Sequence, residues 1–159
     1  MKITKEYIKG FFDGEGCIAI TKKKNNKYGG MVFITNTDFE ILNKISEKLT
    51  ELKIKNKLFK HKKLTGFGKK IKYDLYISGV WGCYQFFKKI GTNNLNKRKR
   101  FEYVFKNSIR LKWILRAKKL KPKIMELRRK GLTYSKIAKK LNITIDVAQD
   151  IGKRFFRYL

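Results

Sequence analysis

The chain has 159 residues, which suits one main domain with a small appendage. Its 41 basic and 12 acidic residues give a net charge of +29, which indicates a polyanionic partner, most commonly nucleic acid. The aromatic content of 14% excludes a disordered basic tail, and no apolar run is long enough to span a bilayer. Ribosome association, an anionic membrane surface or lysine bias from an AT-rich genome would also explain the charge. Because the N-terminus lacks an apolar signal segment, we expect a cytoplasmic, nucleoid-associated protein with no membrane partner.

The first part of the chain predicts a helix, a hairpin and a second helix. A helix is expected over about Lys5–Asp13, capped by Thr4 and with an apolar stripe at helical spacing. A basic hairpin follows over about Cys17–Asn36, where apolar and polar residues alternate along two short strands. The segment TDFEILNKISEKLTEL then has the pattern of an amphipathic helix capped by its Thr or first Asp.

A second hairpin and more helices follow. Strands are predicted near Leu58–Lys62 and Lys70–Ile77, joined by a turn that contains glycine. A short aromatic helix ending at Gly91 comes next, and another helix begins within the basic run Lys97–Arg100. This order predicts an α+β fold whose sheet is antiparallel.

The C-terminal part has a different pattern. The single proline, Pro122, marks a predicted boundary between a main domain of residues 1–117 and a small all-α domain of residues 118–159. Helices separated by Gly131 and by the tight LNIT connection are typical of a helix-turn-helix. A small helical cap packed on the main domain is the alternative interpretation of this segment.

Asp13 and Glu15 stand at the end of the first predicted helix in the stretch YIKGFFDGEG. A helix C-terminus carries partial negative charge and favours cations, so two acids there oppose that preference. A divalent cation with hard oxygen ligands would compensate for them, and so would hydrogen bonds to amides of the turn. Both explanations remain open at this point.

Gly10 and Gly14 lie on one face of the same helix, four residues apart. Glycine destabilises a helix interior by about 1 kcal/mol relative to alanine, which calls for a reason. Small residues at this spacing let two helix backbones approach closely, so the helix is expected to pack against another helix or its own copy. Gly14 alone is also explained as a helix-ending residue.

The other residues with familiar chemistry give little. Cys17 and Cys83 match no zinc or redox spacing, and we expect them to be core or surface thiols. The single histidine, His61, lies beside two lysines, which is a poor place for the base of a nucleophilic triad.

The nonapeptide IKGFFDGEG, Ile8–Gly16, resembles the motif of the LAGLIDADG homing endonucleases. It shares the motif's first and last glycines, its first acid and its apolar pair, whereas Glu15 replaces the second Asp and Lys9 replaces the usual Ala. The order of helices and hairpins over about residues 4–112 resembles one αββαββα repeat of that family, with its saddle-shaped antiparallel sheet. Because the chain carries one motif, the resemblance implies a homodimer, with Gly10 and Gly14 at the interface.

The resemblance implies metal-dependent cleavage of double-stranded DNA. Glu15, assisted by the Gly14 carbonyl, would hold Mg²⁺ or Mn²⁺ near the two-fold axis, in two-metal phosphodiester chemistry. Asp13, the other carboxylate of the catalytic set, would brace the motif by hydrogen bonding, with direct metal ligation as the alternative. Asn36, at the end of the second strand, would act near the attacking water, although helix capping is an equal alternative. Lys97, with Lys99 as second choice, would balance phosphate charge or polarise the water, although a basic helix start that contacts phosphate or solvent explains the run as well.

The sheet would hold DNA on its outward face, because a two-stranded ribbon fits the major groove. With Ile18 and Ile20 directed to the core, we expect contacts from Thr21, Lys23 and Asn25, and more weakly from Tyr28, Lys60, Lys62, Lys70 and Lys72. The C-terminal segment resembles the helix-turn-helix of invertases and resolvases. There the expected DNA contacts are Lys136, Ile145, Gln149 and Arg154, while Asp146 and Asp150 oppose phosphate binding.

A homodimeric, site-specific DNA endonuclease active in intron homing is therefore the function predicted from the sequence. A DNA-binding regulator that keeps the fold without cleaving, and an intron RNA maturase on the same fold, are its alternatives.

Overall fold

The structure, a computed structural model, describes residues 2–23, 27–61 and 71–154. Helices and strands alternate in its first part, and helices alone follow. In chain order the elements are α1 (Lys5–Glu15), β1 (Gly16–Lys23), β2 (Lys27–Asn36), α2 (Phe39–Glu51), β3 (Lys57–Lys60), β4 (Tyr73–Ser78), α3 (Gly79–Lys89), α4 (Leu95–Asn107), α5 (Ile109–Arg129), α6 (Tyr134–Leu141) and α7 (Ile145–Gln149), which continues into a π-helical turn (Asp150–Arg154).

The described strands form one antiparallel sheet in the order β1-β2-β4-β3. Its central pair, β2 and β4, joins the two predicted hairpins, with Val32 opposite Ile77 and Ile34 opposite Leu75. These four residues are buried because the helices cover this face of the sheet. The α+β fold with an antiparallel sheet is confirmed.

The helices cover the sheet with the apolar faces that the sequence predicts. α1 begins at its Thr4 cap, whose hydroxyl accepts a hydrogen bond from the N–H of Tyr7 at 3.1 Å, and it buries Ile8 and Phe12. α2 begins at Asp38 in the same manner and buries three aliphatic side chains on one face. Phe12 packs edge-on against Phe86 of α3, which completes the aromatic centre of this core.

The chain divides into two compact units, Met1–Ile109 and Arg110–Leu159. The sequence-based boundary, between residues 117 and 118, lies inside α5, which continues through Pro122. A proline in a helix interior removes one hydrogen bond and costs about 3 kcal/mol. Ala117, Ile124 and Leu127 are buried on either side of it, and their packing offsets that loss.

The second unit has its own core. Residues from α5, α6, α7 and the π-helical turn are buried together: Ala117, Ile124, Leu127, Ile137, Ala138, Ala148 and Ile151. Thr133 caps the start of α6, and Asn142, which caps its end, adopts a left-handed conformation with φ of 50°. Residues 142–144 then connect α6 to α7, whose cap is Thr144. α6, this short connection and α7 follow one another along the chain, and a DNA-binding helix-turn-helix stays a prediction.

In the ranges that the structure covers, we find no helix both long enough and apolar enough to cross a bilayer.

Candidate functional site

The last turn of α1 carries the two neighbouring carboxylates. The helix extends past its predicted end, through Asp13 and Gly14 to Glu15. Gly16 follows, and a Cβ at this position would overlap the ring of Phe12 and lie 2.7 Å from its carbonyl oxygen. A larger residue does not fit there, so the chain passes from the acids directly into β1.

Both oxygens of Asp13 accept hydrogen bonds from the loop between α3 and α4. The Thr92 hydroxyl donates to Oδ1, and the backbone N–H of Asn93 donates to Oδ2 at 2.9 Å. Thr92 is buried, and its hydroxyl oxygen also accepts a hydrogen bond from the N–H of Asn94 at 3.1 Å. The carboxylate thus holds this loop against the end of α1, which is the bracing contact expected of Asp13.

Lys97 reaches the same end of α1 from the first turn of α4. Its Nζ donates to the carbonyl oxygens of Phe12, at 2.6 Å, and of Asp13, at 2.8 Å. It also lies 4.9 Å from the centroid of the Phe12 ring. Burial lowers the pKa of Lys97, although the negative charges of Asp13 and Glu15 act in the opposite direction. Lys99 is exposed, so the structure brings the first of the two predicted lysines to the motif.

Glu15 and Gly14 are exposed at this position. Across the described ranges, no group of three or more His, Cys, Asp and Glu side chains lies close enough together to hold a metal ion within one chain. Asp13 has both oxygens engaged, so Glu15 is the carboxylate of this turn that remains directed at solvent. The oxygens of Glu15 and of the Gly14 backbone are the hard donors that Mg²⁺ and Mn²⁺ prefer.

Asn36 ends β2, two residues before Asp38, which is the cap of α2. Its Oδ1 accepts a hydrogen bond from the N–H of Asp38 at 2.9 Å, which shapes the entry into α2. The side chain is partly buried. A role of Asn36 in catalysis stays a prediction.

The open face of the sheet includes Thr21. Ile18 is buried on the helix-covered face, and strand alternation therefore places Thr21, three residues later, on the other face. Thr21 pairs with Gly29, where a Cβ would lie 2.7 Å from the Thr21 hydroxyl oxygen. Ile20, on the same side as Ile18, is 38% exposed because it lies towards the end of the hairpin.

Strand alternation places Tyr28 and Lys60, two of the weaker predicted contacts, on the side of their strands opposite to Thr21, and their contact with DNA stays a prediction. Tyr28 shares its side of β2 with Val32, and its ring packs edge-on against Tyr103 of α4 at 5.6 Å. Lys60 shares its side of β3 with Leu58, which packs on the core. The sequence pattern does not reveal these orientations because they depend on the strand register.

The structure describes only some of the other residues of the sheet that are predicted to contact DNA. Lys72 immediately precedes β4, and its carbonyl oxygen accepts a hydrogen bond from the N–H of His61 at 2.9 Å. Alternation from Asp74 places Lys72 on the side of the open face. Asn25, Lys62 and Lys70 lie outside the described residues, as do the side chains of Lys23 and Arg154.

The sequence did not predict a polar cluster on the open face. Asp74 of β4 is 5% exposed, and its carboxylate accepts hydrogen bonds from the hydroxyls of Thr35, at 2.5 Å, and Tyr76, at 2.7 Å, and from His61 Nε2, at 2.5 Å. Burial acts to raise the pKa of Asp74, but the three hydrogen bonds outweigh it and hold the pKa below its ordinary value. Two features of the sequence could have indicated this cluster: Asp74 is an acid within a basic hairpin, and His61 is the single histidine of the chain.

In the second unit, Lys136 is exposed on α6, and Ile145 and Gln149 are exposed on α7. Ile145 is 46% exposed. Asp146 is exposed beside it. These residues have the exposure that a reading helix requires, and their contact with DNA stays a prediction.

The comparisons with known proteins identify a family. The model described as "LAGLIDADG-like domain" matches residues 3–91, more than half of the chain. No curated protein matches the chain.

Solved structures of similar fold include three proteins crystallised with DNA. The LAGLIDADG meganuclease I-AabMI, bound to uncleaved DNA, is 22% identical over 81% of this chain, with a TM-score of 0.46, and the chain covers 40% of it. The homing endonuclease I-CvuI, in complex with the uncleaved I-CreI target in the presence of Mg, is 16% identical over 96% of this chain and 94% of its own, with a TM-score of 0.44. The archaeal intron-encoded homing endonuclease I-Vdi141I, complexed with DNA, is 16% identical over 97% and 95%, with a TM-score of 0.40.

At these scores the solved structures serve as likenesses only, and the assignment depends on the family model. Its match spans α1 with the IKGFFDGEG motif, both described hairpin regions, α2 and α3. The resemblance expected from the motif is thereby confirmed. The chain belongs to the LAGLIDADG family.

Proposed function

We propose that this protein is a site-specific double-strand DNA endonuclease that acts as a homodimer and requires a divalent metal. The observation that carries this proposal is the convergence of Asp13, Glu15 and Lys97 at the end of α1 in a member of the LAGLIDADG family. Phosphodiester cleavage needs a hard cation, a group that balances negative charge and a rigid support for both.

Glu15, with the Gly14 carbonyl, would hold Mg²⁺ or Mn²⁺. The bound ion would supply Lewis-acid activation of the scissile phosphate. Since Glu15 provides one carboxylate per chain, the remaining ligands would come from DNA, water and the Glu15 of a second copy. Exposure of this turn leaves room for all of them.

The neighbouring residues keep this turn in place and tune its charge. Asp13 holds the loop before α4, and α4 in turn delivers the Lys97 ammonium to the end of α1. The partly buried ammonium offsets negative charge that builds on the phosphate during attack. Asn36 is the polar residue proposed to orient the attacking water, in addition to its hydrogen bond to Asp38.

The exposed face of α1 is the proposed dimer contact. A Cβ added at Gly10 or at Gly14 would meet no atom within 4 Å, so this side of the helix is bare in the single chain. A second α1 packed against these glycines would bring its own Glu15 near the first. A dimer would therefore contain two metal-binding carboxylates beside one DNA duplex.

DNA is proposed to lie on the open face of the sheet, where Thr21 and Lys72 would contact it together with Lys23. Lys57 adds a further exposed cation on this face, because it pairs with Tyr76. The second unit is proposed to lengthen the contact through Lys136, Ile145 and Gln149, while Asp146 limits its independent affinity. Contacts of lysine with phosphate make the binding salt-dependent.

A pooled cleavage experiment tests the proposal. The full chain is incubated with random double-stranded DNA or with structured RNA, each with Mg²⁺ or with EDTA, and both bound and cut molecules are sequenced. We expect double-strand cuts at one related set of DNA sites with Mg²⁺, and binding without cuts in EDTA. DNA bound but never cut with Mg²⁺ or Mn²⁺ would favour the non-cleaving regulator, and selective binding of RNA would favour the maturase.

A further inference from the structure

The imidazole of His61 belongs to the polar cluster on the open face. Its Nε2 atom has a fixed partner, and its Nδ1 atom has none among the described residues. His61 Nε2 lies 2.5 Å from Asp74 Oδ2, and this carboxylate also accepts hydrogen bonds from Thr35 and Tyr76. The Asp74 side chain is 8% exposed, whereas that of His61 is 38% exposed. The carboxylate is therefore a buried support, and the imidazole is the part of the cluster that solvent or a ligand reaches.

The cluster also sets the chemistry of the exposed ring edge. A carboxylate that accepts hydrogen bonds requires a proton on Nε2, so Nδ1 is the nitrogen that faces outward. In the neutral ring Nδ1 accepts a hydrogen bond, and in the protonated ring it donates one. Asp74 and its hydroxyl donors thus orient the ring about one axis and fix which nitrogen is available.

His61 lines an open cavity of about 550 Å³ on this side of the sheet. Met31, Phe59 and Tyr76 give the cavity an apolar floor, with the amide of Asn56 beside it, and three lysines also line it: Lys55, Lys57 and Lys60. Phe59 is 49% exposed and packs edge-on against Tyr76 at 5.4 Å. A directed polar atom above an apolar floor suits the edge of a base better than it suits a phosphate, which lysines bind without need of orientation.

We propose that His61 is a base-reading residue of the DNA-binding face and that Asp74 is its positioning residue. The inference depends on the proposed function, because it assigns a role in choosing the DNA site. Nδ1 would accept a hydrogen bond from the exocyclic amine of adenine or cytosine in the neutral ring, or donate one to guanine in the protonated ring. Either contact makes the preference at one position of each half-site depend on His61.

The test is site selection from random DNA by the full chain, with Ca²⁺ in place of Mg²⁺ so that binding is measured without cleavage. Wild type is compared with His61→Ala, His61→Gln, Asp74→Asn and the His61→Ala/Asp74→Asn double variant. We expect His61→Ala to lose about three- to tenfold of base preference at one position per half-site and to leave other positions unchanged. His61→Gln is expected to change the preferred base at that position.

Asp74→Asn is expected to weaken the preference at the same position, and the double variant should lose no more there than His61→Ala alone. Such non-additivity distinguishes a positioning residue from one that only stabilises the fold. Lys57→Ala is the matched control, since Lys57 lines the same cavity and is exposed. It should lower affinity for all sequences and reduce the salt dependence without changing base preferences.

The proposal is overturned if wild type selects a defined site and His61→Ala selects the same site with the same preference at each position. It is also overturned if Asp74→Asn leaves the base preference at the His61-dependent position unchanged, while its thermal transition shows that the variant is folded. A wild-type chain that enriches no DNA sequence would instead refute the proposed function, so the two failures are distinguishable.

Discussion

The Lys97 ammonium caps the end of α1, with its Nζ 2.6 Å from the Phe12 carbonyl oxygen and 2.8 Å from that of Asp13. The last carbonyl groups of a helix have no partners within it and favour a cation. Lys97 thus gives the Asp13 carbonyl a donor at a helix end where the two neighbouring acids are unfavourable, whereas the Phe12 carbonyl also accepts a hydrogen bond from the N–H of Gly16. The contact has a structural role, and it also brings the ammonium close enough to feel the charge of Glu15, where we propose its catalytic role.

Replacement of Lys97 by methionine should separate these roles. Lys97→Met removes the ammonium but keeps the stem that packs on Phe12, so we expect stability to fall by about 1–2 kcal/mol. Cleavage should fall by about 100-fold or more, because the charge that balances the phosphate is lost. Rates of cleavage at saturating protein and urea unfolding curves measure the two effects. Lys99→Met, which changes an exposed lysine of the same helix, is the control, and equal losses in both variants would contradict the assignment.

The Asp13–Thr92 contact predicts coupled stability effects. Asp13→Asn and Thr92→Val each remove part of the hydrogen bonding between α1 and the loop before α4, and each should destabilise the protein by about 1–3 kcal/mol. The double variant should lose less than the sum of the two, since both changes break one contact. Urea unfolding of the four proteins gives the coupling. Strict additivity would show that the two residues act independently.

Gly10→Leu should disrupt self-association without unfolding the chain. The position is open in the single chain, and leucine favours a helix over glycine by roughly 0.5–1 kcal/mol, so the thermal transition should stay or rise. The leucine side chain would keep two α1 helices apart. Sedimentation equilibrium should show wild-type dimers and Gly10→Leu monomers. Gly131→Leu cannot serve as the control, because Gly131 has a φ of 82°, which is strained for any residue with a side chain. Lys9→Leu, on the same helix as Gly10, is the control. Dimers of Gly10→Leu as stable as wild type would refute this contact.

Asp74 predicts a specific loss of stability in acid. Its pKa is lower in the folded protein, so its contribution is present above the unfolded pKa, about 4, and is lost as pH falls through the folded value. Asp74→Asn should therefore be less stable near pH 7, by about 1–3 kcal/mol, and should lose less stability than wild type as the pH falls below about 4. Urea unfolding at a series of pH values measures this. Glu102→Gln, at an exposed site on α4, should follow wild type, and an unchanged pH slope in Asp74→Asn would contradict the role of the cluster.

Cys83 should not react with alkylating reagents in the folded protein. Burial raises the pKa of Cys83 to about 12, so its thiolate is scarce and shielded at neutral pH. Iodoacetamide at pH 8 should modify Cys17, which is partly exposed, and should reach Cys83 only in urea. Mass spectrometry of the labelled peptides distinguishes the two sites. Fast labelling of Cys83 without urea would show that the α3–sheet contact opens.

The parts of the fold that the sequence predicts are those governed by local pattern. The stripe of α1, its Thr4 cap and the alternation along β1 and β2 appear in consecutive residues, and the structure follows them. The motif also led to Lys97, since a resemblance supplies long-range information that the residues alone do not carry. The contacts of Asp13 with Thr92 and Asn93, 79 and 80 residues away, lay beyond any local pattern.

Local pattern does not reveal the features that depend on strand register or on packing between distant residues. Tyr28 and Lys60 are placed on the helix-covered side by their partners Lys22 and Tyr73, and a shift of one residue would reverse both. His61 and Asp74 are 13 residues apart, and only the pairing of β3 with β4 brings them together. Pro122 was interpreted as a boundary, although packing on both sides keeps α5 continuous.

The central claim is that Glu15 is the metal-holding carboxylate of a DNA endonuclease, and the most direct measurement is cleavage by Glu15→Gln on the site that wild type selects. Glu47→Gln, an exposed change on α2, is the matched control. We predict that Glu15→Gln binds this site in Ca²⁺ within a few-fold of wild type but cuts it at least about 1,000-fold more slowly in Mg²⁺, while Glu47→Gln cuts normally. Cleavage by Glu15→Gln at the wild-type rate would contradict the claim.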